Sequence, residues 1–136
     1  MLRVDRRSAA FKDDFFSTFP TRLRENDVFV DVGANCGAYS LFAARNVGPN
    51  GRVIAIEPMP EMLKRLRYNI AVNGFRNIEV VPTAVGPEAG TATLFVDEAR
   101  RGLSSMEKLE GTTPLQVPVA TLLSVVNAPA SIASMR

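Results

Sequence analysis

The segment Asp31-Val32-Gly33-Ala34-Asn35-Cys36-Gly37 sets two glycines and an asparagine in one bend, and Glu57-Pro58 begins twenty-four positions after Gly33. Glycine, and after it asparagine, tolerates the left-handed backbone that lets main-chain N–H groups approach a ligand closely. A helix starting after Gly37 would add free amides that favour a carboxylate or phosphate. An acidic residue at this interval from a glycine-rich turn is where a carboxylate meets a ribose diol in a dinucleotide fold. One carboxylate accepts two hydrogen bonds at once and so matches two vicinal hydroxyls. Alone, the turn also reads as strand-to-helix punctuation and Glu57 as a solvated strand-end acid. Together they imply an adenosine-bearing cofactor.

The choice of cofactor turns on Asn35. A pyrophosphate-binding fingerprint, Gly-x-Gly-x-x-Gly, carries a glycine at that place so that phosphate can meet bare backbone. A polar side chain crowds a diphosphate, and Asp31 next to it repels an anion but suits an ammonium or sulfonium. S-adenosylmethionine meets those demands, with a diol for Glu57, two cationic centres and a carboxylate for the helix start. NAD, disfavoured by Asn35, is the alternative.

These residues need a scaffold. Val28 to Val32 is a short, β-branched, nearly continuous apolar run, the pattern of a parallel strand buried on both faces. A helix follows from Ala38, marked by Tyr39, Leu41, Phe42 and Val47 and ended by Gly48-Pro49-Asn50-Gly51. Arg52 to Ile56 reads as a second strand. Met59, Met62, Leu63, Leu66 and Ile70 mark one face of a second helix, with Lys64, Arg65 and Arg67 opposite and Asn73-Gly74 at its end. Ile78 to Val81 is a third strand, stopped by Pro82. Two further strand-like runs are Thr91 to Val96 and Gln116 to Val119. This alternation predicts an α/β fold, a Rossmann-like doubly wound sheet with a parallel core and helices on both faces, whose ligands bind beyond the carboxyl ends of the strands. Ahead of it, Phe11, Phe15, Phe16 and Phe19 recur at helical spacing between Ser8 and Pro20. Residues 1–26 thus read as a helical segment packing on the core, and 27–136 as the sheet domain.

Composition narrows the classes. The chain has 136 residues, 46% hydrophobic and 22% charged, with a net charge of +2, too mild to predict nucleic-acid binding. It has no histidine, which excludes His-based triads and His-ligated zinc. Cys36 is the single cysteine, a small turn residue that points to a reducing, cytoplasmic setting. No apolar run reaches the length of a membrane span or a signal peptide, so no membrane partner is expected.

The run Val30-Asp31-Val32-Gly33-Ala34-Asn35-Cys36-Gly37-Ala38-Tyr39-Ser40, followed by Gly51 to Pro58, Asn69 to Gly74 and Ala84-Val85-Gly86, closely resembles the FkbM family of class I methyltransferases. The likeness spans roughly residues 26 to 122. It implies that Gly33, Ala34 and Gly37 cradle the methionine part of S-adenosylmethionine, with Asp31, Asn35 and Ser40 as polar contacts. It further implies that Glu57 holds the ribose and that Pro58, Met59, Thr83 and Ala84 border the adenine. Ser40 reads equally as a solvent-facing or capping hydroxyl, and Met59 as a core filler beside Met62 and Leu63.

Similar proteins continue past a Thr-Leu-Asp segment into a strand with an acidic stretch near the transferred methyl. Here Thr121-Leu122 runs into Leu123 and that strand is not seen, so the C-terminal half of the sheet reads as truncated and no catalytic residue is marked. The first strand is then left with an unpaired edge, a site for homo-oligomerisation. The resemblance implies O-methylation of a small-molecule or saccharide acceptor. A cofactor-binding fragment without turnover and an NAD-dependent oxidoreductase are the rival readings.

Overall fold

A computed structural model describes residues 23–97 and 104–128. The phenylalanine-striped segment lies outside them. Strand β1 (Val28–Val32), helix α1 (Ala38–Val47), strand β2 (Arg52–Ile56), helix α2 (Pro60–Asn73) and strand β3 (Ile78–Val81) follow in the predicted order. The three strands form a parallel sheet ordered β1-β2-β3, with Val30 opposite Ile54 and Ile54 opposite Glu79.

β2 is the axis of the core because Val53 to Ile56 are all fully buried. Alternation sends Val53 and Ala55 to one face and Ile54 and Ile56 to the other. On the first face, Ala43, Ala44 and Val47 of α1 cover Val53, while Leu63 and Leu66 of α2 pack with Ala55 and Ala34. The small alanines let α1 sit close to the sheet, and Tyr39 and Phe42 are only half-buried. Asn77 holds this layer by donating its side-chain amide to the Ala44 and Gly48 carbonyls at 2.9 and 2.8 Å. It thereby satisfies orphan carbonyls at the end of α1.

The second face is covered by a short helix α3 (Leu122–Asn127), whose Val125 packs on Ile54 and Ile56. Thr121 caps it by accepting from the Ser124 N–H. The remaining strands are β4 (Ala84–Val85), β5 (Gly90–Asp97), β6 (Ser104–Ser105) and β7 (Thr112–Ala120). They form a separate sheet ordered β4-β7-β5-β6. The two predicted runs are therefore strands, but they lie antiparallel to each other, Gly90 opposite Val119 and Asp97 opposite Thr112. Leu94 and Val117 of this sheet pack with Met59 and Met62, which joins it to the start of α2.

One expectation is corrected. β1 pairs with β2 alone among the described strands, and Val28 and Val32 are 57% and 55% exposed. An apolar strand is buried only where a layer covers the face its side chains point to, and among the described residues the layer containing Val125 reaches Val30 but leaves Val28 and Val32 exposed. Among the described strands the other side of β1 has no partner.

Candidate functional site

The glycine turn and Glu57 meet at the carboxyl ends of β1 and β2. The N–H groups of Gly33 and Ala34 both donate to the Ile56 carbonyl at 2.9 Å. One residue further on, the Asn35 N–H donates to Glu57 Oε2 at 2.9 Å, and the Met59 N–H donates to Oε1 at 2.8 Å. Glu57 is 5% exposed, yet its charge is compensated by one amide on each oxygen. A carboxylate has about four acceptor positions, so an outer lone pair on each oxygen is left for a ligand. That donor set fits a vicinal diol.

The turn is held by its own backbone. Gly33, Asn35 and Gly37 all have positive φ, at 77°, 53° and 95°. The Cys36 N–H donates to Asn35 Oδ1 at 2.7 Å, and the Gly37 N–H donates to the Ala34 carbonyl at 2.8 Å. Every amide from Gly33 to Gly37 is therefore used within the protein. In this stretch the amides point to partners in the protein, and what it presents outward is shape, with Gly33 and Asn35 exposed and no atom beyond its chain neighbours within 4 Å of where a Gly33 Cβ would stand. Gly37 faces inward, because a Cβ there would lie 2.5 Å from Leu66 Cδ1.

Asp31 and Ser40 form the inner wall. The Ser40 Oγ–H donates to Asp31 Oδ2 at 2.6 Å, and both residues are buried. Burial pushes the Asp31 carboxyl above its ordinary value of 3.8, while side-chain and backbone hydrogen bonds from Ser40 pull the other way. The folded state thus holds the Asp31 proton more tightly than the unfolded chain. This contribution favours folding most below pH 3.8 and is lost as pH rises through the folded pKa. Asp31→Asn removes it, so the stability of the variant relative to the native protein is expected to increase between pH 4 and pH 7. Urea midpoints at the two pH values check this; a decrease would remove the burial argument.

The residues assigned to the adenine are less open. Pro58 is half-buried, whereas Met59 is 5% exposed and packed with Met62, Leu94 and Val117. Its side chain fills core, the second of its two sequence readings. Thr83 is buried, and its hydroxyl lies 3.0 Å from the Pro118 carbonyl of β7. Ala84 packs beside the Met59 cluster. Sequence reasoning assigned no site role to Asn69, which is buried in α2 and donates through Nδ2 to the Cys36 carbonyl at 2.9 Å. Its signal was a polar residue on the apolar face of α2, one turn after Leu66.

A parallel strand order, with a glycine turn fastened over a strand-end carboxylate, defines the Rossmann-like cofactor-binding class. Within that class the chain belongs to the family described as the methyltransferase FkbM domain, whose model matches residues 31–132. S-adenosylmethionine is the cofactor of these methyltransferases.

Over 59 residues the chain is 41% identical to protein-L-isoaspartate O-methyltransferase 2 of Archaeoglobus fulgidus, covering 43% of this chain and 27% of that protein. Over 81 residues it is 35% identical to a probable cobalt-precorrin-6B C(15)-methyltransferase (decarboxylating) of Halobacterium salinarum, covering 57% of this chain and 42% of that one. A solved SAM-dependent methyltransferase from Aquifex aeolicus shares 31% identity at a TM-score of 0.43, covering 45% of this chain and 32% of that chain. The chain thus spans 27% and 42% of the length of these two curated relatives.

Proposed function

We propose that this domain binds S-adenosylmethionine in the crevice between the 31–40 turn and Glu57, and serves transfer of its methyl group to an oxygen of a small molecule or sugar. The observation that supports this best is the Glu57 carboxylate, held from beneath by the Asn35 and Met59 amides with a lone pair left on each oxygen. In this reading Glu57 binds the ribose diol. Gly33, Ala34, Asn35 and Gly37 shape the methionine side, and the Asp31–Ser40 pair gives that wall negative character. Pro58, Met59, Thr83 and Ala84 border the adenine, Pro58 and Ala84 half-buried and Met59 and Thr83 from within the core.

When bound, the cofactor supplies an electrophilic methyl on a good leaving group. What the chain's own residues contribute is orientation and exclusion of water, which lower the barrier by placing the acceptor near attack distance. No described residue is assigned as a base.

Calorimetric titration with S-adenosylhomocysteine, then with NAD, tests the cofactor. Binding of the first alone is expected, and binding of NAD alone would reverse the choice. A methylation assay on sugars and small hydroxylated acceptors tests the reaction. A cofactor binder without turnover is the second reading, favoured by the unpaired side of β1 among the described strands. That edge is also where a second copy would pair, and the single cysteine fits a reducing, cytoplasmic setting. Among the described residues no helix is long and apolar enough to cross a membrane.

A further inference from the structure

Helix α2 buries Met62, Leu63, Leu66 and Asn69, and the last is the polar one. Asparagine in a helix interior gives up helix propensity, and a buried amide has to find partners. Asn69 directs its Nδ2 at the Cys36 carbonyl, 2.9 Å away, one turn beyond Leu66, whose Cδ1 lies against Gly37. From there the bonds run on without a gap. The Cys36 N–H donates to Asn35 Oδ1, and the Asn35 N–H donates to Glu57 Oε2. The other oxygen, Oε1, accepts from the N–H of Met59, the N-cap residue of α2. Both oxygens of Glu57 are therefore tied to the same helix, one through its N-cap and the other through a relay that starts about three turns on.

The softest joint of that relay is next to Gly37. The Cys36–Gly37 peptide is one rigid plane, and Gly37, at φ 95° and without a Cβ, restricts its rotation least. Asn69 on its carbonyl and the Ala34 carbonyl on its N–H fix the plane at both ends. We propose that Asn69 is a positioning residue for the ribose-binding carboxylate: by fixing this peptide it keeps the Asn35 amide on Glu57 Oε2 and the free lone pair of that oxygen aimed into the crevice. The inference rests on the reading of Glu57 as the holder of the ribose. A bond that merely joined α2 to the turn would change stability and leave its effect on affinity independent of Glu57.

A double-mutant cycle on the full chain separates the two. Asn69→Leu is close in size and lacks the donor; Asn69→Asp keeps the shape and lacks it at neutral pH. Calorimetry with S-adenosylhomocysteine is expected to show affinity falling about fivefold or more in each variant, the worth of one well-placed hydrogen bond. Made in Glu57→Ala, the same substitutions are expected to cost less than about twofold, because no carboxylate remains to be positioned. The thiol of Cys36, the single cysteine, reports the turn itself. Its reaction with a disulfide reagent, well below the urea midpoint, is expected to quicken about threefold or more in both Asn69 variants, as local opening becomes easier. Val125→Ala, a destabilising change on the other face of the sheet, is expected to leave that rate unchanged. Equal losses of affinity with and without Glu57, or a thiol rate that Asn69→Leu does not move, would overturn the role while leaving the cofactor assignment intact. A native chain that binds no S-adenosylhomocysteine would remove the cofactor assignment, and this role with it.

Discussion

Glu57→Ala is expected to weaken S-adenosylhomocysteine binding by about 1–3 kcal/mol, the cost of removing a charged hydrogen-bond partner from a polar ligand. The loss has two sources. The diol loses its acceptor, and the Asn35 and Met59 amides lose theirs. The second effect also appears without ligand, because an amide left unsatisfied in a buried setting costs about 1–3 kcal/mol. Calorimetry and urea unfolding on the same variant separate the two. An affinity that falls no further than the local stability loss explains would leave Glu57 as a brace for the turn. An unchanged affinity would remove it from the site.

Gly37→Ala is expected to lower stability by about 2–4 kcal/mol, the sum of a left-handed backbone and an overpacked core contact. At φ 95° an L side chain is strained whatever the space around it, and here the new methyl would also meet Leu66 Cδ1 at 2.5 Å. Trimming the partner tests the second part. Leu66→Ala alone should cost about 2–5 kcal/mol for its cavity. The double variant should cost at least 1 kcal/mol less than the sum, since the methyl occupies part of the vacated space. Strict additivity in thermal or urea unfolding would show that Gly37 matters for its backbone alone.

The stretch from Val28 to Val81 was legible because periodicity and punctuation agree in it. The apolar spacing of α2 and the glycines after α1 and α2 place its elements at the positions observed. The second sheet was legible only in outline. β4 and β6 are two-residue strands held by partners distant in sequence, and two residues carry no period. β7 extends from Thr112 through Pro114, a residue that lowers any expectation of a strand, so only Gln116 to Val119 stood out, despite Pro118 within it. For β1 the unpaired edge was expected from the departure after Thr121-Leu122, whereas the exposure of Val28 and Val32 was not, because an apolar run records which faces can be buried and not what covers them. At the site, the pairing of Gly33 with Glu57 followed from their spacing. The inward use of the turn's amides did not, since a sequence names donors without naming their acceptors.

That inward use bears on kinetics. In the proposed reading, a loop whose N–H groups already have fixed acceptors, from Gly33 to Gly37, meets its cofactor with its backbone hydrogen bonds already made. Its conformational search was completed during folding, so capture is governed by encounter and differences in affinity between variants surface mainly in how long the cofactor stays.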